Sequence, residues 1–181
     1  MTTPVIPIDP RNPSEEALEE AAAILRAGGI IAYPTETFYG LGVDGTNESA
    51  LDKIFTVKGR HNRVPVSLIV GGRSDLEGFV RTIPETGRLI ADAFWPGGVT
   101  IIFEAASGVS EKLTAGTGKI GIRLSSDLLA TALVRRLGRP LTATSANRSG
   151  ESECCTVDEV LATLGDDLDA VIDGGRTPGP P

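Results

Sequence analysis

Three clusters in this 181-residue chain carry side chains able to do chemistry. The first is Tyr33-Pro34-Thr35-Glu36-Thr37-Phe38-Tyr39-Gly40-Leu41-Gly42, which follows the apolar run Ile30-Ile31-Ala32-Tyr33. Pro34 offers no ladder N–H, and Gly40 and Gly42 permit backbone torsions closed to other residues, so the chain is expected to leave a sheet there. Ligands gather where strands of an open α/β sheet end, which puts the hydroxyls of Thr35, Thr37 and Tyr39 at a binding edge; a polar turn fits the same residues. The second is Lys58-Gly59-Arg60, at the end of a helical pattern and followed by His61, Asn62 and Arg63. Cations there complement a helix C-terminus, and a basic loop of this kind also suits a triphosphate. The third is Thr142-Ala143-Thr144-Ser145-Ala146-Asn147-Arg148-Ser149-Gly150. Its small hydroxyls and one amide either cap turns or let a ligand approach the backbone closely. Arg123, within the strand-like Gly121-Ile122-Arg123-Leu124, must pair with an acid or reach a cleft, where it could clamp a carboxylate.

Alternating helix and strand signals must position these groups. Val5-Ile8 is a short apolar segment, and Asn12 is expected to cap a helix with Pro13 at its first position and Glu15 in a capping box. Leu18, Ala21, Ala22 and Leu25 form its stripe, and Gly28-Gly29 ends it. The pattern continues with a strand over Ile30–Tyr33, a helix from Asn47 to Lys58, a strand over Val66–Val70 and a helix over Pro84–Phe94 closed by Trp95-Pro96-Gly97-Gly98. Strands follow over Val99–Phe103 and Ile120–Leu124, then a helix over Leu128–Leu137 and a strand over Pro140–Thr142. A Thr156-to-Glu159 capping box opens a helix to Leu164, and Ala170–Ile172 is the last strand. No internal repeat or linker interrupts this order, so residues 1–181 are expected to form a single α/β domain.

Composition excludes several classes. A net charge of −7 argues against broad nucleic-acid binding but leaves room for a local basic cleft, since Lys53, Lys58, Arg60 and Arg63 fall together. The apolar runs fall short of the ~20 residues a membrane helix needs, and the polar N-terminus lacks a signal-peptide pattern, so a cytoplasmic, membrane-free protein is expected. Cys154 and Cys155 are adjacent, which gives no disulfide framework, and His61 alone does not complete a zinc site; no protein metal site is expected. Gly118-Lys119 lacks the first glycine and the Ser or Thr of a phosphate loop, because Leu113 and Ile120 stand there. A hydrolase would have His61 as its only histidine base.

Together, the Tyr33–Gly42 run, Lys58-Gly59-Arg60, Phe94-Trp95-Pro96-Gly97, Ile120-Gly121-Ile122-Arg123 and Ser145-Ala146-Asn147-Arg148-Ser149-Gly150 resemble, in the same order, the YrdC-like (Sua/YciO/YrdC) threonylcarbamoyl-AMP synthases. The resemblance spans about residues 12–176. It implies a twisted open mixed β-sheet with helices on its faces and a basic concave cleft. It implies a nucleotidyltransferase that makes threonylcarbamoyl-AMP and pyrophosphate from L-threonine, bicarbonate or CO2, and ATP, with Mg2+ arriving on ATP, as the first step of threonylcarbamoyladenosine formation in tRNA. Partners on this reading include tRNA and a threonylcarbamoyl transferase.

Carried over residue by residue, the resemblance assigns catalysis to Lys58 and Arg60. It assigns ATP binding to Lys58, Arg60, Thr144, Ser145 and Asn147, and threonine binding to Thr35, Thr37, Tyr39 and Arg123. No general base stands out; Glu36 and His61 are candidates only by their place in the chain. Three departures touch the pattern. Ser125-Ser126-Asp127 replaces the family's proline and histidine after Arg123, Thr144 replaces a proline, and Glu153-Cys154-Cys155-Thr156 replaces a Ser-Pro-Thr-like turn. The chain stops at Pro181, where the family continues into a Ser-Thr-containing strand that helps cover the nucleotide, which reads as a truncation, a shortened natural form or a weakly active relative. The readings from other classes are a non-enzymatic module of the same fold that binds double-stranded RNA or matures ribosomes, and a carbamoyl-adenylate domain of hydrogenase maturation proteins.

Overall fold

Side-chain alternation across the strands explains the architecture. The computed structural model describes residues 3–59 and 64–180. Its strands are β1 (Val5–Pro7), β2 (Ile31–Tyr33), β3 (Gly40–Gly42), β4 (Ser67–Ile69), β5 (Ile101–Glu104), β6 (Lys119–Arg123), β7 (Leu141–Ser145) and β8 (Ala170–Asp173). They form one mixed sheet in the order β1-β8-β2-β3-β7-β4-β6-β5. β1 and β2 run parallel to β8, and β4 parallel to β6, whereas β3 is antiparallel to β2 and β7, and β7 to β4. The helices are α1 (Glu15–Arg26), α2 (Glu48–Lys58), α3 (Glu85–Phe94), α4 (Glu111–Thr114), α5 (Leu128–Leu137) and α6 (Val157–Leu164).

On one face, Ile31, Tyr33, Ile69, Leu141, Ala170 and Ile172 pack beneath α1 and α5. On the other, Ala32, Leu41, Leu68, Ile120, Ile122 and Val171 pack with Leu51 and Ile54 of α2 and Val160 and Leu164 of α6. Neighbouring residues of a strand thus serve opposite cores. The first of these faces is covered only in part. Register places Ser67 beside Ala143 and Ile69 level with Arg123, while Gly121 pairs with Ile102, which is 69% exposed. Beyond the two helices the sheet carries small or polar side chains, and a cleft opens there.

Several local expectations change. The first helix is capped by Ser14, whose Oγ accepts from Ala17 N at 3.3 Å, whereas Asn12 sits in a turn with its N–H on the Asp9 carbonyl. Pro13 and Glu15 therefore do not take the first helical position and the capping-box site. The other starts agree: Asn47 accepts from Ser49 N and Ala50 N, and Thr156 and Glu159 form a capping box. The third cluster begins inside the sheet, because β7 continues through Thr144 to Ser145. Small polar side chains mask a strand when its polar face lines a cleft.

Gly40 and Gly42 also belong to a strand, and neither has a positive φ. Their purpose is space. A Cβ on Gly40 would lie 3.0 Å from the Tyr33 ring, and one on Gly42 would lie 2.8 Å from that ring and 3.1 Å from Leu141 Cδ1. The ring is fully buried and its hydroxyl donates to the Thr142 carbonyl at 2.8 Å, so it cannot swing aside. Gly59, by contrast, does use glycine's freedom, closing α2 at φ 61°.

Two predictions follow from this packing. Gly42→Ala will lose about 1–3 kcal/mol, the usual cost of overpacking, read as a lower urea midpoint at unchanged slope. The second concerns Asp127, which caps α5 by accepting from Ala130 N at 2.8 Å. Burial raises its carboxyl pKa, the cap bond opposes this, and the charge of Glu36 raises it further. A folded pKa above the unfolded value of about 3.9 means that stability present in acid is lost as pH rises through the folded value. Asp127→Asn keeps a cap acceptor without the charge, so it will melt higher than the parent at pH 7 and the gain will fade toward pH 4.

Candidate functional site

The open part of the sheet face forms a cleft of about 310 Å3. Its lining brings together Thr35, Thr37, Tyr39 and Arg123 with Thr144 and Ser145, six of the residues singled out in the sequence. Ser67, Ile69 and Ala143 supply strand surface between them, and Val64, Pro65 and Glu153 stand at the rim. Lys58 and Asn147 lie behind the Ser145 wall. Arg60, together with His61, Asn62 and Arg63, falls outside the described residues. Among the described lining residues Arg123 and Glu153 are the charged ones, one of each sign, so the described lining does not itself give the expected basic cleft.

The Thr35 hydroxyl donates to the Phe38 carbonyl at 2.7 Å and accepts from Thr37 N at 3.2 Å, folding Thr35–Phe38 into a tight turn. The Thr35 and Thr37 hydroxyls lie 3.2 Å apart. Tyr39 is committed elsewhere: its hydroxyl donates to the Gly175 carbonyl at 2.7 Å, and burial, then the charge of Asp173, pushes the phenol up to about 12. Tyr39 lines the cleft but its fully buried side chain packs in the core with Ala32 and Leu41, and its hydroxyl anchors the segment after β8. That segment is stitched on twice more, by Thr177 N to the Cys155 carbonyl at 2.9 Å and by Gly179 N to the Thr37 carbonyl at 2.8 Å. The replacement turn at Cys154-Cys155 therefore abuts the same loop, and Tyr39 N donates to the Cys154 carbonyl at 2.8 Å. Burial raises the Cys154 thiol.

On the opposite wall, Lys58 is the last residue of α2 and only 3% exposed. Its Nζ donates to the Ser145 carbonyl at 2.7 Å and to Asn147 Oδ1 at 2.8 Å. Ser145 Oγ donates to the same Oδ1 at 2.7 Å, and Asn147 Nδ2 donates to the Glu151 carbonyl at 2.7 Å. The Lys58 and Ser-x-Asn motifs are thus one interlocked unit. A cation near a helix end is ordinarily solvated; here the ammonium sits under the cleft wall, where low polarity strengthens its field.

Arg123 is held from two sides. Its Nε donates to Thr100 Oγ1 at 3.1 Å, and Nη1 contacts Glu36 Oε1 at 3.1 Å. The Ser125 hydroxyl donates to Glu36 Oε2, and Asp127 N donates to Ser125 Oγ at 3.1 Å. The residue that departs from the family pattern is therefore built into the site. Thr100 was not singled out in the sequence, and Ser125 was marked only as a departure from the family pattern, because their site partners Arg123 and Glu36 lie far off in the chain. The Trp95-Pro96-Gly97-Gly98 turn braces this corner. Its Gly97 N donates to the Leu124 carbonyl at 2.8 Å, and Gly98 lies against Glu36 and Thr37.

Among the described residues no three His, Cys, Asp or Glu side chains gather as a metal-ligand group, and no helix is long and apolar enough to cross a membrane.

Comparison with known proteins agrees with this geometry. Residues 23–180 match the Sua5/yciO/yrdC family, described as "Telomere recombination". The threonylcarbamoyl-AMP synthase of Bacillus subtilis (strain 168) is 35% identical over 170 residues, covering 93% of this chain and 49% of that protein. The threonylcarbamoyl-AMP synthase of Idiomarina loihiensis is 39% identical over 156 residues, covering 85% of this chain and 84% of its own length. The crystal structure of Pyrococcus abyssi Sua5 complexed with L-threonine superimposes with a TM-score of 0.93 at 31% identity, over 97% of this chain and 51% of that one. This chain spans about half the length of the Bacillus and Pyrococcus synthases. With the family match running from α1 to the segment after β8 and the eight-stranded sheet shared, this chain belongs to the Sua5/YciO/YrdC family.

Proposed function

We propose that the protein is an L-threonylcarbamoyladenylate synthase, a nucleotidyltransferase that joins L-threonine, CO2 or bicarbonate, and ATP into threonylcarbamoyl-AMP with release of pyrophosphate. The observation that carries this reading is one cleft flanked by a hydroxyl and guanidinium wall (Thr35, Thr37, Arg123) and by a wall of small polar residues backed by a buried ammonium (Thr144, Ser145, with Lys58 and Asn147 behind). The first suits an amino acid, the second a nucleotide phosphate. The relatives named threonylcarbamoyl-AMP synthase and the threonine-bound Pyrococcus structure support the same assignment.

On this reading the neutral amine of threonine attacks CO2 and loses a proton, giving a carbamate. A carbamate oxygen attacks the α-phosphorus of ATP, and the bond to the β-phosphate oxygen breaks, its electron pair leaving with pyrophosphate. Arg123 holds the threonine carboxylate. Negative charge grows on phosphate oxygens, and Lys58, with Arg60, stabilises it; Thr144, Ser145 and Asn147 hold the nucleotide. Mg2+ enters bound to ATP as part of that substrate. Threonyl and phosphate groups are brought together in place, so positioning and electrostatics supply most of the rate. The product feeds threonylcarbamoyladenosine formation on tRNA through a transferase partner, in the cytoplasm. A polyanion-binding module is disfavoured, since the described lining gives RNA no row of cations.

The deciding assay is pyrophosphate release with Mg·ATP, bicarbonate and each amino acid in turn; release that does not depend on threonine overturns the reading. Lys58→Ala will lower kcat by about 100-fold, as expected for loss of a preorganised charge at developing phosphate charge. Arg123→Ala will raise the threonine KM by roughly tenfold to hundredfold and leave the ATP KM near its parent value, because a charged hydrogen bond is worth about 1.5–3 kcal/mol.

A further inference from the structure

Glu36 lies at the centre of a relay that reaches the cleft only through another residue. Its side chain is 14% exposed and that of Arg123 is 20% exposed, so their 3.1 Å contact is largely shielded from water. A guanidinium is planar and carries five N–H donors in a fixed fork. Thr100 takes the Nε donor and Glu36 takes one at Nη1. Two anchors fix the orientation of a plane, and the donors of Nη2 have no hydrogen-bond partner among the described residues. Arg123 lines the cleft, so its end-on fork of Nη1 and Nη2 is what remains for a ligand carboxylate.

Glu36 is itself locked. The Ser125 hydroxyl donates to Oε2 while Arg123 engages Oε1, and Ser125 Oγ in turn accepts from Asp127 N at the start of α5. Gly98 faces Glu36 from the other side and leaves room for about one methyl group, since an added Cβ would lie 3.8 Å from Glu36 Cγ and Oε1. A carboxylate with each oxygen held by a separate donor is arranged to stay in place, and Glu36 is absent from the cleft lining, so it meets a ligand only through Arg123.

We propose that Glu36 is a positioning residue, held by Ser125, that aims the Arg123 guanidinium at the amino-acid carboxylate and takes no part in proton transfer. This rests on the synthase reading for the identity of the substrate. The relay lowers the cost of binding, because a long, rotamer-rich side chain is ordered before the ligand arrives.

The experiment compares Glu36→Ala, Glu36→Gln and Ser125→Ala by steady-state kinetics and by the NMR signal of the Arg123 Nε–H, assigned by its disappearance in Arg123→Lys. Glu36→Ala should raise the threonine KM by about tenfold, with the ATP KM and kcat at saturating threonine within about threefold of the parent. Glu36→Gln keeps an acceptor for Arg123, and Ser125 can turn to accept from its amide, so it should bring the threonine KM back to within about threefold. Ser125→Ala should fall between them. The Arg123 Nε–H should exchange with water faster in Glu36→Ala and stay protected in Glu36→Gln. A fall in kcat of about 100-fold in Glu36→Gln at saturating threonine would make Glu36 a proton acceptor and overturn the proposal. So would equal rises in both KM values with a lower melting temperature, the mark of a structural prop. If the parent protein releases no threonine-dependent pyrophosphate, the synthase reading fails, and the exchange of the Arg123 Nε–H still decides whether Glu36 holds it.

Discussion

The cleft exists because two helices, α1 and α5, cover only part of a sheet face, and the strands beneath the uncovered part carry almost no side-chain bulk. Gly121, Ser67 and Ala143 follow one another across β6, β4 and β7, and Gly40 and Gly42 continue the series on β3. The same strands bury Leu41, Leu68 and Ile122 on the opposite face, so they stay in the sheet without contributing apolar surface to the cleft. Tyr33 completes the arrangement by laying its ring over the two glycines. A helix covering the rest of that face would leave no site, and larger residues at those positions would fill it.

Charge is handled differently on the two walls. The ammonium of Lys58 is buried with a carbonyl and an amide oxygen around it, which keeps a positive charge close behind Ser145 without exposing it. A buried charge is tolerable only with such partners. The guanidinium of Arg123 is paired with a carboxylate and aimed by it. The pair carries little net charge, so the wall offers hydrogen-bond direction more than attraction, which suits a small zwitterion better than a polyanion. The segment after β8 couples these features, since it is bonded to Thr37 of the Tyr33–Gly42 run, to Tyr39 and to the Cys155 turn.

Much of this was legible in the chain. Helix starts at Asn47 and Thr156, the αL stop at Gly59 and the span Leu128–Leu137 all follow from capping chemistry and apolar spacing. β3 was not read, although Gly40-Leu41-Gly42 has the period of two that a strand with one bare face would show; glycine's poor strand propensity hid it. The extension of β7 through Thr144 and Ser145 was hidden for a related reason, because hydroxyls look like a loop unless one knows that they face a cleft. α4 is a single turn, too short to display any periodicity.

The sequence by itself determined the α/β order, the caps and the identity of the chemical groups, because these depend on residues within a turn or two of one another. Only the tertiary structure decided who pairs with whom. Arg123 had 24 acids to choose from, and it is Glu36, 87 positions away, that meets it. Lys58 is brought to Asn147 across 89 positions, and Tyr39 to Gly175 across 136. Such contacts are set by strand order and by which core each strand face serves. Local propensity encodes neither, so the motifs announce a site while packing alone shows that Tyr39 anchors a segment and that Glu36 pairs with Arg123.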